Sequence, residues 1–139
     1  MDKMVLQGAI DMAMHYLSGK EYLIKKKGRV YCANESLYFK KKGIYYKIYL
    51  NTISHIEADD DQTIVHGKGH KFYSFVSLKG LAALLENHGF MLVHRSYLVN
   101  LKKVTNLDKV NRILSLKKVS IPYSRRKKER LFEQLEKIK

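Results

Sequence analysis

One cysteine, one proline and only thirteen acidic residues set the first limits on this 139-residue chain. The lone Cys32 allows no intramolecular disulfide and no cysteine zinc site within one chain. It reads as a small buried hydrophobe in a reducing compartment. With proline scarce and no long polar tract, little of the chain should be disordered. No apolar run approaches the roughly 18 to 20 residues of a membrane span. Asp2 and Lys3 lead into an amphipathic stretch without the sustained apolar core of a signal peptide. These absences predict a cytoplasmic protein with no membrane partner. There is also no glycine-rich phosphate loop and no nucleophile elbow. The sequence therefore offers no catalytic residue, no enzyme and no cofactor.

What is present is positive charge. Twenty-seven Lys and Arg give a net charge of +14 and a pI near 9.8. Such a chain repels itself unless something anionic is nearby, and nucleic acid is the common answer. Residues 101 to 139 hold thirteen cations against four acids, an excess of nine, so the last third can concentrate the charge on one surface.

The apolar pattern predicts a mainly β protein with short helices. Leu6, Ile10, Met14 and Leu17 recur at helical spacing and predict an amphipathic helix over 3–18, capped by Asp2 and closed by Gly19. Short aromatic and β-branched runs follow at 22–24, 30–32, 37–39 and 44–48. Lysine-glycine turns at 25–28 and 40–43 suit exposed hairpin tips. Further strands are expected at 53–57, 63–66, 71–76, 90–93, 104–107, 113–116 and 119–122. Ser77 caps a helix over 77–87 that stops before Gly89, and a basic helix begins at Ser124. A domain boundary is expected between residues 35 and 36, dividing an N-terminal helix and hairpin segment (1–35) from the main domain (36–139).

Ser124-Arg125-Arg126-Lys127-Lys128 is the sharpest physical clue. Cations at a helix start oppose the helix dipole, each at a cost of a few tenths to about 1 kcal/mol. The arrangement makes sense where an external phosphate accepts the free N–H groups and the charge together. The best case for an enzyme is the cluster Glu57, Asp59, Asp60 and Asp61 with His55, His66 and His70. Its spacing argues against a metal: three successive aspartates in a turn diverge, and His66 and His70 fall on opposite arms of a hairpin. The sequence thus predicts no metal site.

Phe90-Met91-Leu92-Val93-His94-Arg95-Ser96-Tyr97-Leu98-Val99-Asn100-Leu101 resembles the signature of the LytTR DNA-binding family, whose core reads H-R-S-Y-hydrophobic-V-N. Ile53-Ser54-His55-Ile56-Glu57-Ala58, Ser77-Leu78-Lys79-Gly80-Leu81 and Ile121-Pro122-Tyr123-Ser124-Arg125 are similar to three further family segments, in the family's order. The resemblance covers about residues 36–139. It implies an elongated arrangement of antiparallel sheets that serves as the output module of bacterial two-component regulators. It also implies binding to promoter duplex DNA, often as two copies on imperfect direct repeats, with bases read mostly from loops.

The family's contact regions fall on Arg95, on Asp61-Gln62-Thr63 and on Arg125 or Arg126. Arginine can bond guanine O6 and N7 together, so Arg95, Arg125, Arg126, Gln62 and Thr63 are the candidates for base contact. The middle region departs from the family, which commonly has Asn-Tyr at the positions of Asp61-Gln62. Lys127, Lys128, Ser124, Lys102, Lys103, His94 and Asn100 are the candidates for phosphate, with His94 and Asn100 equally suited to ordering the turn by hydrogen bonds. Tyr97, Leu98 and Val99 read as core.

Residues 1–35 resemble the linker helix that follows a receiver domain. The chain is too short to hold a receiver and lacks its acidic pocket; it is either a module cut from such a regulator, working with a phospho-receiver domain, or a free-standing regulator, and on DNA it could pair with a second copy. Two other readings stand beside this one. Interleaved Tyr and Lys over 38–49 could stack on RNA or single-stranded bases, and the acid-histidine cluster could serve a metal-dependent nuclease.

Overall fold

The structure is a computed structural model that describes residues 3–4, 22–24, 28–41 and 43–138. Among them are two five-stranded sheets, one three-stranded sheet and two α-helices, with all strand pairs antiparallel. The first sheet is built from β1 (Lys3–Met4), β2 (Tyr22–Ile24), β3 (Gly28–Ala33), β4 (Ser36–Lys41) and β5 (Ile44–Tyr49), in the order β1-β5-β4-β3-β2. The second holds β6 (Ile53–Asp59), β7 (Gln62–Gly67), β8 (His70–Ser74), β9 (Phe90–His94) and β10 (Tyr97–Asn100), in the order β8-β7-β6-β10-β9. Helix α1 (Leu78–Leu85) connects β8 to β9. The third sheet is β11 (Asn106–Asp108), β12 (Ile113–Ser115) and β13 (Ser120–Pro122), and α2 (Lys128–Ile138) ends the chain.

The second sheet is buried on both faces where β9 and β10 run, and this is why residues 90–93 read as an unbroken apolar stretch. Alternation sends Phe90, Leu92 and Leu98 to one face and Met91, Val93 and Val99 to the other. On the first face they join Ile56 and Val65, Leu78, Leu81 and Leu85 of α1, and Val30, Cys32, Leu37, Phe39 and Ile48 of the first sheet. Phe72 bridges the two sheets, with ring centroids 4.7 Å from Phe39 and 5.4 Å from Tyr46. On the second face they join Leu114, Ile121, Tyr123 and Leu131, so the third sheet and α2 close a separate core. On the reverse face of the first sheet Tyr31, Ala33, Tyr38 and Tyr45 form a small buried cluster.

Helix α1 follows its sequence signals. The Ser77 hydroxyl accepts the Gly80 N–H at 3.0 Å, and Gly89 takes the left-handed conformation (φ 85°) after a closing 3-10 turn at Glu86–His88.

The start of the expected helix over 3–18 is a correction. Lys3 and Met4 are extended and pair with Tyr46 and Tyr45. The outer edge of β5 offers unpaired backbone groups, and a two-residue strand satisfies some of them. The rest of that helix, with Leu6, Ile10, Met14 and Leu17, lies outside the described residues. The division between 35 and 36 falls on the turn of the β3–β4 hairpin, where Asn34 and Glu35 both have positive φ (50° and 61°). The strands on either side of that turn share one sheet and one core.

Candidate nucleic-acid interface

Three segments meet at one end of the second sheet. The first is the two-residue turn Arg95–Ser96 between β9 and β10. The second is the turn at Asp60–Asp61 between β6 and β7, where Asp60 is left-handed (φ 61°). These two are fastened together by the Ala58 N–H, which donates to the Ser96 carbonyl at 2.9 Å. The third is the chain after β13, fastened by the Ser124 N–H to the Val93 carbonyl at 2.9 Å.

The β9–β10 pairing shifts register between Tyr97 and Leu98, so that His94 pairs with Tyr97 while Leu92 pairs with Leu98. The extra residue turns His94 out of the alternation and sets its ring 5.5 Å from that of Tyr97. The Ser96 N–H donates to His94 Nδ1 at 3.1 Å. In the neutral ring the proton therefore sits on Nε2, a donor available to an anion. Beside it opens a cleft of about 500 Å³ lined by His94, Asn111, Arg112, Pro122, Tyr123, Ser124 and Arg125.

Asn111 and Arg112 enter from the β11–β12 turn and were not singled out by sequence reasoning. The Asp108 carboxylate shapes that turn. It accepts the N–H groups of Val110 and Asn111 at 3.0 Å each and the Asn111 side-chain amide at 2.8 Å. These hydrogen bonds, those from Asn111 foremost, hold the Asp108 carboxyl below its usual pKa. Arg112 is left-handed (φ 55°), and its carbonyl accepts the Tyr123 N–H at 3.1 Å. A non-glycine residue held there costs on the order of 1–2 kcal/mol, and the backbone bond to Tyr123 keeps it in place at the cleft wall. Only Asp108, an Asx-turn former five residues ahead of a strand, hints at this in the sequence.

Arg95, Arg112, Arg125, Arg126 and Lys128 are exposed and Lys127 is half-buried. None of the six is paired with an acid among the described residues. The cleft itself is walled by two of these cations, Arg112 and Arg125, with the His94 imidazole and the Asn111 amide between them.

A family model described as the LytTr DNA-binding domain matches residues 43–136. The chain belongs to this family. Among solved structures, the LytTr DNA-binding domain of a Bacillus cereus protein described as a methyl-accepting/DNA response regulator superposes with a TM-score of 0.63 at 20% identity. The match covers 74% of this chain and 98% of that one, and it establishes the LytTr fold. No curated protein matches. The LytTr family is one of DNA-binding domains and not of enzymes.

Within this LytTr domain the expected contact residues divide by position. His94, Ser124 and Arg125 line the cleft, Arg95 and Arg126 are the chain neighbours of His94 and Arg125, and Gln62 lies at the neighbouring hairpin end on the face that carries Tyr97. Ser124 makes no side-chain cap bond; its carbonyl instead accepts the Lys127 N–H at 3.1 Å, so Arg125–Lys127 form a 3-10 turn and Lys128 opens α2.

Four of the expected residues lie away from the cleft. Thr63 alternates to the opposite face from Gln62, is 2% exposed, and bonds to Ser74 Oγ and the Val76 carbonyl at 2.9 Å each. Asn100 is buried: its amide donates to the Ile53 carbonyl at 2.9 Å and its Oδ1 accepts the Lys102 N–H at 3.2 Å. Its part is to tie the two sheets' connection. Lys102 and Lys103 lie in a 3-10 turn beyond the far end of β10, roughly 13 Å of strand away from Arg95.

Removing the strained cation gives a direct check on the cleft. Arg112→Gly should leave the melting temperature nearly unchanged, because glycine accepts φ 55° and the lost side chain is exposed. It should weaken binding to all duplexes alike and lower the salt slope by about one. Unaltered affinity would remove the β11–β12 turn from the interface.

A second cluster lies on the same sheet face, toward β7. His55 and His66 are directly opposed in the β6–β7 ladder with rings stacked 4.2 Å apart and 8° from parallel. His66 Nε2 is 2.6 Å from Glu57 Oε1. Burial, with His66 beside it, lowers the His55 pKa to about 4, so this ring is neutral.

Proposed function

We propose that this chain binds specific duplex DNA sequences and regulates transcription as the output module of a two-component response regulator in the cytoplasm. Promoter DNA is the partner, taken up by two copies on direct repeats, with a phospho-receiver domain supplying the signal. The observation that carries this reading is the convergence of His94 at the end of β9, Arg112 of the β11–β12 turn and Ser124-Arg125 after β13 around one open cleft, with backbone hydrogen bonds fastening them and no acid pairing either arginine among the described residues. Phosphate is held by Lys127, Lys128, Arg112, Ser124 and the His94 Nε2–H, which fix register. Base edges are read by Arg95 and by Arg125 or Arg126, with Gln62 beside them.

For the second reading, in which tyrosines of 38–49 stack on single-stranded bases, the fold leaves the half-exposed Tyr49. Tyr38 and Tyr45 are buried at 9% and 3% exposure, and Tyr46 packs against Phe72. No helix of the described residues is long and apolar enough to cross a membrane.

Selection of bound duplexes from a random pool tests the proposal, followed by competition with single-stranded probes. Enrichment of one motif and preference for duplex are expected; no enrichment, or preference for single strands, would overturn it. On the selected motif Arg95→Ala should cost about 1–3 kcal/mol and relax preference at one base pair. Lys127→Ala should weaken all sequences alike. An unchanged base preference in Arg95→Ala would remove Arg95 from the residues that specify sequence.

A further inference from the structure

We propose that His55, His66 and Glu57 form a binding site for a divalent transition-metal ion of the Zn²⁺ class. The spacing of the wider acid-histidine cluster argues against a metal, yet the β6–β7 ladder sets His66 directly across from His55, with Glu57 at the adjacent diagonal position on the same face. One ligand atom from each lies within 4.8 Å of the others. Two imidazoles and a carboxylate are the donor set that leaves a fourth position for water on zinc.

The protonation pattern also suits a ligand. Ser54 Oγ donates to the His66 carbonyl at 3.3 Å, so its oxygen accepts from His55 Nδ1–H at 2.9 Å. That leaves the lone pair of His55 on Nε2, with the other ring nitrogen held by a hydrogen bond, as ligand histidines are held. The second imidazole is bound at 2.6 Å to Glu57, and a metal would take the place of the proton between them. With metal bonds of about 2.0–2.2 Å, ligand atoms on a tetrahedral ion sit roughly 3.3 Å apart. The His66–Glu57 pair must open by less than an ångström, and the widest gap must close by at most about 1.5 Å.

The parallel ring stack must also open, because each lone pair lies in its ring's plane. His66 is the ring able to turn, since its side chain is 19% exposed and Glu57 is 30% exposed, whereas His55 is buried beneath them. These motions are side-chain rotations that leave the ladder intact. Lys71 stands opposite His66 on β8 and is the cation that opposes the ion, while the Glu57 carboxylate favours it. The site does not depend on the DNA-binding reading, so either can fail alone.

The test uses the full chain without a histidine tag. Zn²⁺ is titrated by calorimetry, and Co²⁺ is followed by its visible absorption, which reports the ligand geometry. One saturable ion per chain is expected, with a melting temperature that rises with metal and returns on chelation. His66→Ala and Glu57→Gln should each weaken binding by more than the roughly 10–100-fold that supporting hydrogen bonds contribute. Both positions are partly exposed, and melting without metal verifies that the variants fold. His70→Ala, an exposed histidine outside the cluster, should leave binding unchanged. Absence of saturable binding, or equal binding by His66→Ala, would overturn the site.

Discussion

Raising the salt from about 50 to 200 mM should weaken binding to the selected duplex by roughly two to three orders of magnitude. The range follows from the cations of the cleft and of the segments beside it. If Arg95, Arg112, Arg125, Arg126, Lys127 and Lys128 all covered phosphates, each releasing about 0.9 counterion, the slope of log affinity against log salt would be about −5.4. With Arg95 and one of Arg125 and Arg126 turned to base edges, it falls to about −3.6, and a fourfold rise in salt costs about 150-fold.

The chain's total charge does not set this number. Lys102 and Lys103 stand beyond the other end of β10, and Lys102→Ala should leave the slope alone. A slope near −1 would mean that the cleft cations do not face the duplex. A steep slope shared equally by Lys102→Ala and Lys127→Ala variants would mean that the charge acts diffusely and the cleft has no special part.

How the sequence conveys this site depends on the kind of signal each residue carries. Helix α1 was legible because its cap Ser77 and its stop Gly89 are local chemistry. The β9 stretch was legible because burial on both faces leaves an unbroken apolar run. The β3–β4 hairpin was not, since its turn residues Asn34 and Glu35 adopt positive φ without the glycine that normally marks such a turn. A strong polar pair there reads as a boundary. Strand β1 carries only two residues and no pattern at all; what specifies it is the open edge of β5.

Candidate contacts on strands were read by family position, which does not say which face a side chain takes. Gln62 and Thr63 are adjacent, and alternation alone sends the second into the core. His55 and His66 stand eleven residues apart, a spacing that means nothing until the ladder register opposes them. Arg112 escaped notice for a related reason: its place at the cleft depends on the Tyr123 bond and the Asp108 turn, neither of which is visible in a run of surface residues.

Leu98→Ala and Arg95→Ala, three positions apart, should fail in opposite ways. Leu98 is fully buried at the centre of the second sheet, paired with Ile56 on one side and Leu92 on the other. It packs in the core that joins the first sheet, α1 and the second sheet. Truncation removes its transfer free energy and leaves a cavity that strands on both sides cannot collapse into, a cost of about 2–5 kcal/mol. Against a total of about 5–15 kcal/mol that is a large share, and the melting temperature should fall by roughly ten degrees or more. The turn is then held by the same Ala58–Ser96 and Ser124–Val93 bonds in whatever fraction is folded, so that fraction should keep its base preference. Arg95 is exposed and unpaired, so its removal should change stability by no more than about 0.5 kcal/mol while binding to the motif drops. Melting and motif binding measured on both variants separate the strand that holds the turn from the side chain that uses it. A Leu98→Ala protein that melts with the wild type would mean that β10 does not turn this residue inward. The register that aims Arg95 outward would then be wrong as well, because a shift of one residue exchanges the two faces.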